Sequence, residues 1–195
     1  RTLGGDGKFR EAVALPEGED LQEWLAMNTM EIAEAASLIW GQCQSLCDPK
    51  GCPTMNAGKK ASYLWSDGRS KPESLPATQY IANLMEWVDS ELQNSKIFPV
   101  AEEEKFPKDF KKHVNVIIKR VFRVYAHVYF SHFDKLRAQG FEAHLNTCFK
   151  HLTYFIMEFS LVSSKELMPL RSLIEKFTSE EDFFQLMKTE RRTFN

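Results

Sequence analysis

The sequence predicts a single all-α domain in which one long, loop-like insert is a candidate for a metal staple and for a small β-hairpin. Three observations lead there. Apolar residues recur at spacings of three and four in several segments separated by Gly and Pro. Between Cys47 and Leu75 that pattern stops, broken by Pro49, Gly51, Pro53, Gly58, Gly68 and Pro72. Two cysteines at the start of the break, Cys47 and Cys52, have counterparts in two histidines, His127 and His132, late in the longest helical stretch. At 195 residues the chain suits one core, and 15 Phe with 4 Trp supply ample apolar area to fill it.

The elements follow in order. Residues 1–15 carry Gly4, Gly5 and Gly7 and read as an irregular arm ahead of a helical domain over 16–177. The first helix is expected over 20–40. Asp20 can cap it and Glu23 stands where a capping box needs it, while Leu21, Leu25, Ile32, Ala35 and Ile39 trace an apolar face. In the insert, Asp67-Gly68 after Tyr63-Leu64-Trp65 is a hairpin signal. A second helix fits 76–93, with Ile81, Leu84, Met85, Val88 and Leu92 inward. The longest fits 108–139, where Phe110, Val114, Ile117, Val121, Val124 and Val128 form a seam. Another fits 142–159. Ser163 with Glu166 offers a capping box, Pro169 a start for a helix ending near Phe177, and the tail 178–195 room for one more short helix.

Composition excludes some functions. A net charge of −2 argues against a general nucleic-acid binder, which needs a basic excess to neutralise phosphates. No apolar run is long enough to cross a bilayer, so no membrane insertion is expected. The four cysteines could pair as disulfides, but Cys47 and Cys52 flanking a turn suggest a metal and a reducing compartment, cytoplasmic and also nuclear.

Two thiolates and two imidazoles from Cys47-x4-Cys52 and His127-x4-His132 can complete a tetrahedral zinc site, structural because all four positions are filled by protein. On an ideal helix residues five apart differ by about 140°, so the long helix must end, bend or bulge near Phe130 for both imidazoles to converge. Cys43 with Cys47, one turn apart, and Cys148 with His151 are rival pairs, and buried thiols with hydrogen-bonded histidines are the simpler reading.

Two charged faces stand out. Lys112, Lys119 and Arg123, flanked by Arg120, lie together in angle opposite the Val/Ile seam. Fixed cations on one face suit a phosphate group, and equally a face kept charged for solubility. Glu23, Met27, Glu31 and Glu34 continue an acidic face from Glu19 and Asp20, suited to a basic partner helix or to plain solvation.

Several stretches resemble the Mob family of kinase co-activators. They are Leu15-Pro-Glu-Gly-Glu-Asp20, Glu23-Trp24, Cys47-x4-Cys52-Pro53, Ala57-Gly58 and Trp65-Ser-Asp-Gly68. The longest are Lys119-Arg-Val-Phe-Arg-Val-Tyr-Ala-His127 through His132-Phe133, and Glu142-Ala-His-Leu-Asn146 through Phe149-Lys-His151. Residues 167–177 are similar to the family's closing helix, so the likeness spans 2–177 in order. The resemblance implies a fold around a four-helix bundle and a structural zinc on Cys47, Cys52, His127 and His132. It implies a non-catalytic adaptor that binds the N-terminal regulatory region of a nuclear Dbf-related/LATS-type kinase through a surface matching Glu19, Asp20, Glu23 and Glu31, with His144 on the same side. It further implies a phosphopeptide pocket at Lys119, Arg120 and Arg123, as in the family's phosphopeptide-binding branch, for an upstream Hippo-type kinase or a phosphorylated scaffold. Thr2 matches a regulatory phosphorylation position. The stretch Gly4-Gly-Asp-Gly7 and the tail from Thr178 depart from the pattern. The competing class, a zinc hydrolase, needs an open metal position with a nearby base; the sequence carries neither an HExxH helix nor a GxSxG elbow.

Overall fold

A computed structural model describes residues 6–101 and 103–188. Thr2, the expected modification position, lies outside them. The order is α1 (Asp6–Val13), α2 (Leu21–Cys43), a 3-10 turn (Gln44–Leu46), α3 (Ala77–Leu92), α4 (Phe110–Ser131), α5 (Phe133–Ala138) and α6 (Glu142–Phe159). Then come α7 (Ser164–Leu167), a second 3-10 turn (Met168–Leu170), α8 (Arg171–Phe177) and α9 (Glu180–Lys188). No helix is long and apolar enough to cross a membrane.

Helices α2, α3, α4 and α6 enclose the core: α2 packs on the other three, and α4 on both α3 and α6. The α4 seam is the best-buried line, with Val114, Ile117, Val121, Val124 and Val128 all inside. β-branched residues form weak isolated helices, so burial rather than propensity holds this one. Helix α2 starts where Asp20 predicts, its Oδ1 accepting the backbone N–H groups of Gln22 at 2.8 Å and Glu23 at 3.0 Å. Among the described residues Glu23 does not return the bond, so half of the capping box forms. The buried face of α2 begins at Leu25 and runs through Ile32, Ala36 and Ile39 to Cys43. Leu21, expected inward, is exposed because the first turn lies outside the packed part of the helix.

Helix α4 ends at Ser131, and His132 adopts φ −129°, ψ −1° before α5 resumes. This is the break near Phe130 that two histidines five apart require. Helix α6 then returns antiparallel to α4, tied by the Tyr129 hydroxyl donating to Asn146 Oδ1 at 2.8 Å. At α7, Ser163 caps as expected, its Oγ accepting the N–H of Glu166 at 3.4 Å.

Two expectations are corrected. The arm over 1–15 is not irregular throughout, because residues 6–13 form α1. Phe9 and Val13, four apart, are buried, with Phe9 stacked on Tyr154 at 5.9 Å and the Trp24 indole N–H donating to the Val13 carbonyl at 2.8 Å. Burying two such side chains stabilises by about 1.5–3 kcal/mol each, more than the roughly 1 kcal/mol that a helical Gly7 costs. The expected hairpin at Asp67-Gly68 does not form: among the described residues there are no strands, only the isolated bridges Trp65↔Glu73 and Asn56↔Ser62. Asp67 instead closes its own turn, with Oδ1 accepting from the N–H groups of Arg69 and Ser70 and from the Ser70 hydroxyl, each at 2.9 Å. That turn keeps 67–70 as a wide loop rather than a two-residue connection. The tail does form a helix, α9, whose nearly buried Asp182 pairs with Arg10 of α1.

Candidate metal centre and binding surfaces

A tight turn sets the two thiols side by side. Asp48 Oδ1 accepts the N–H groups of Lys50 at 2.8 Å and Gly51 at 2.9 Å, and the Asp48 carbonyl accepts the N–H of Cys52 at 2.8 Å. The end of α4 delivers the imidazoles. His127 Nε2 lies 3.5 Å from Cys47 Sγ and His132 Nε2 lies 3.8 Å from Cys52 Sγ. The donor atoms of all four buried residues fall within 4.8 Å of one another. A tetrahedral ion with metal–sulfur bonds near 2.3 Å and metal–nitrogen bonds near 2.0 Å needs ligand edges of about 3.3–3.8 Å. The donor set therefore fits a divalent metal ion.

Electrostatics agree. His127 Nδ1 donates to the Asn56 carbonyl at 2.8 Å, which fixes the tautomer and leaves the Nε2 lone pair facing the thiols. Burial lowers the pKa of His127, and it lowers that of His132 to about 4 with help from His127 beside it. Both imidazoles are neutral donors at pH 7. Burial, reinforced by Cys52, pushes the Cys47 thiol up to about 12, so a thiolate there needs a cation to compensate it. His132 Nδ1 is buried without a hydrogen-bond partner among the described residues.

The rival pairs separate cleanly. Cys43 donates to the Ile39 carbonyl at 3.4 Å and stays outside the donor group. Cys148 lies 3.8 Å from His144 on α6, an i, i+4 pair. His151 faces α2, where Glu31 counters part of the burial that lowers its pKa.

The three cations do not share a free helix face. Arg120 donates to the Ser66 carbonyl at 3.2 Å, with its guanidinium 4.1 Å from the Trp87 ring and 5.2 Å from that of Trp65. Arg123 donates to the Tyr80 hydroxyl at 3.1 Å and pairs with Glu166 at 3.3 Å, lying over Tyr63 at 4.9 Å. Both half-buried arginines thereby hold the 63–66 segment and α7 against α4. Lys119 alone of the three has no hydrogen-bond or ionic partner among the described residues. Sequence reasoning missed Tyr63, Tyr80, Trp87 and Glu166; the aromatic run 63–65 was a usable signal, since arginines seek such rings.

Glu19 and Asp20 just before α2, and Glu23, Glu31 and Glu34 on it, are all exposed. Met27, Met30 and Leu38 are exposed among them, the last at 60%. The face thus combines carboxylates with apolar side chains, of which sequence reasoning had noted only Met27. Asp20 is committed to its cap. His144 is exposed and lies two helical turns before His151 on the same face of α6, beside Phe141 and Cys148.

The whole arrangement has relatives. The model of the Mob1/phocein family matches residues 1–170. The chain is 49% identical over 176 residues to MOB kinase activator-like 1 homolog B of Dictyostelium discoideum, covering 89% of this chain and 82% of that protein. It is 48% identical over 177 residues to MOB kinase activator-like 1A of Arabidopsis thaliana, covering 90% and 82%. Likeness of that depth, running through the Cys/His loop, the α4 break and the α2 surface alike, means that the chain belongs to the Mob1/phocein family.

Proposed function

We propose that this chain is a non-catalytic adaptor that co-activates a protein kinase of the nuclear Dbf-related/LATS type by binding its N-terminal regulatory region. The observation that carries the reading is the α2 face, where exposed carboxylates surround exposed Met27, Met30 and Leu38. A basic amphipathic helix would be steered by Glu23, Glu31 and Glu34 and anchored by its apolar side chains, with His144 at the border. The relatives are named as kinase activators, which supports the same role. The metal in this reading is zinc, bound for structure: two thiolates and two neutral imidazoles are a preferred zinc set, and four protein donors fill the tetrahedron. A zinc hydrolase would need one of those positions open. The adaptor works in the cytoplasm and the nucleus, as its kinase partner requires.

Glu23→Lys tests the docking face, because Glu23 is exposed and supports nothing internally. Its affinity for a fluorescent peptide spanning the kinase's N-terminal regulatory region should fall about tenfold, with an unchanged circular dichroism spectrum. Unchanged affinity would remove this face from the proposal.

The second site, at Lys119, Arg120 and Arg123, takes a phosphorylated segment of an upstream Hippo-type kinase or scaffold. Two guanidiniums held in place beside the ammonium of Lys119, which has no ionic partner among the described residues, suit a dianionic phosphate. A phosphothreonine peptide should bind about tenfold better than its unphosphorylated twin, and the preference should weaken with added salt. Lys119→Ala is the clean probe, since removing either arginine also loosens the 63–66 segment. Equal binding of the two peptides would refute phosphate recognition.

A further inference from the structure

A groove of about 410 Å³ opens between the Cys/His loop and α7, adjoining Arg123 through two of its lining residues, Tyr63 and Glu166. Its floor is apolar, formed by Ala57, Ala61, Phe130, Met168 and Pro169. Phe130 is 52% exposed and Met168 50%, so two large apolar side chains face water across one concavity. The Phe130 wall is built in. Gly58 adopts φ +74°, and a Cβ there would lie 2.8 Å from the Phe130 ring, so only glycine lets that ring cross the loop so closely. Two exposed lysines line the same groove, Lys59 and Lys60. The one carboxylate among the lining residues, Glu166, is already engaged with Arg123.

We propose that this groove docks a linear acidic segment of a partner protein, which inserts one bulky apolar side chain between Phe130 and Met168 while its flanking carboxylates meet Lys59 and Lys60. Size and charge both select that occupant. A cavity of roughly 150 Å³ already admits a benzene ring, so this groove holds a ring or leucyl side chain together with its backbone. A concavity of these dimensions receives a side chain rather than a flat lipid surface. Apolar floors with a charged rim are the usual anatomy of a peptide anchor. The groove adjoins the proposed phosphate site, sharing Tyr63 and Glu166 with Arg123, but its anchor and rim, Phe130, Met168, Lys59 and Lys60, are other residues and need no phosphate.

The test is selection of the zinc-loaded full chain against a displayed library of unphosphorylated nine-residue peptides, followed by affinity measurement on the enriched sequences. The expected enrichment is a central Phe, Leu, Met or Trp flanked by Asp and Glu. K59E/K60E and Met168→Lys should each weaken those peptides by about tenfold or more, while Lys176→Glu, on the exposed side of α8, leaves them unchanged. Zinc content and circular dichroism confirm that each variant is folded. Enrichment without acidic residues, or binding indifferent to the groove variants, would overturn the proposal. So would a dimer in sedimentation velocity that Met168→Lys abolishes, since the occupant would then be a second copy. Binding to phosphatidylserine vesicles that depends on Met168 would overturn it too, in favour of a membrane.

Discussion

Cys52→Ser, or removal of the metal by a chelator, is expected to unfold the segment between Cys47 and Pro76 and to destabilise the chain more than any other single change. That stretch contains no helix or strand beyond isolated bridges, and apart from the cysteines only Met55 and Ala57 of its apolar side chains are fully buried, with Ala61, Tyr63, Trp65 and Leu75 partly so. Its attachment to α4 at this end runs through Cys47, Cys52, His127 and His132. Binding of a structural zinc releases on the order of 10 kcal/mol in small zinc domains, and that energy is folding energy where no site exists in the unfolded chain. Without the ion, the thiols are left with long bonds of 3.5 and 3.8 Å to the imidazoles, and the buried His132 Nδ1 has no partner among the described residues, a cost of about 1–3 kcal/mol for such a group. The loss should reach the arginines next. Ser66 and Trp65 would leave Arg120, and Tyr63 would leave Arg123. Elemental analysis should find one zinc per wild-type chain and none in Cys52→Ser, with amide protons of 52–65 exchanging freely in the variant. A variant that keeps its protection and its melting temperature would show that the cluster is only a set of buried side chains.

Phe149→Ala is expected to cost about 3–5 kcal/mol, the range for truncating a buried aromatic. The ring is fully buried on α6 and meets Tyr129 at 5.2 Å, Tyr125 at 5.7 Å and both Phe122 and Phe177 at 6.2 Å. It therefore joins α4, α6 and α8 at one point, and its neighbours cannot all close the cavity without moving a helix. Tyr129 is the vulnerable partner, because its hydroxyl also ties α4 to Asn146 just before His132, a candidate metal ligand. Urea denaturation should show the midpoint falling at unchanged slope. Phe184→Ala serves as comparison: with its ring 58% exposed it should shift stability by no more than about 0.5 kcal/mol. Similar small losses for both would mean that the cluster repacks around a smaller side chain.

The family resemblance and the periodic segments made much of this protein legible before its structure. The helix expected over 76–93 is α3, that over 142–159 is α6, and the Asp20 cap forms. These are local properties, since a helical face and a cap depend on residues within one or two turns. The need for a break near Phe130 also followed from helix geometry alone. What spacing left open was which cysteines and histidines meet. Cys43 and Cys47 are one turn apart and Cys148 and His151 are nearly so, yet the donors that converge are 80 residues apart in the chain. The arginines show the same limit. Lys119, Arg120 and Arg123 look alike on a helical projection and are all half-buried, but Trp65, Trp87, Tyr80 and Glu166 engage two of them and leave the third without a hydrogen-bond or ionic partner among the described residues.

Sequence by itself determined where the main helices lie, how the first of them is capped and that thiols and imidazoles were available in pairs. Tertiary structure alone decided that Phe9 and Val13 turn the arm into α1, that Asp67 closes a loop in place of a hairpin, and which charges stay in water. The physical reason is reach. Hydrogen bonds and side-chain periodicity act over a few residues, whereas burial and metal coordination depend on distances between segments that only the packed chain sets.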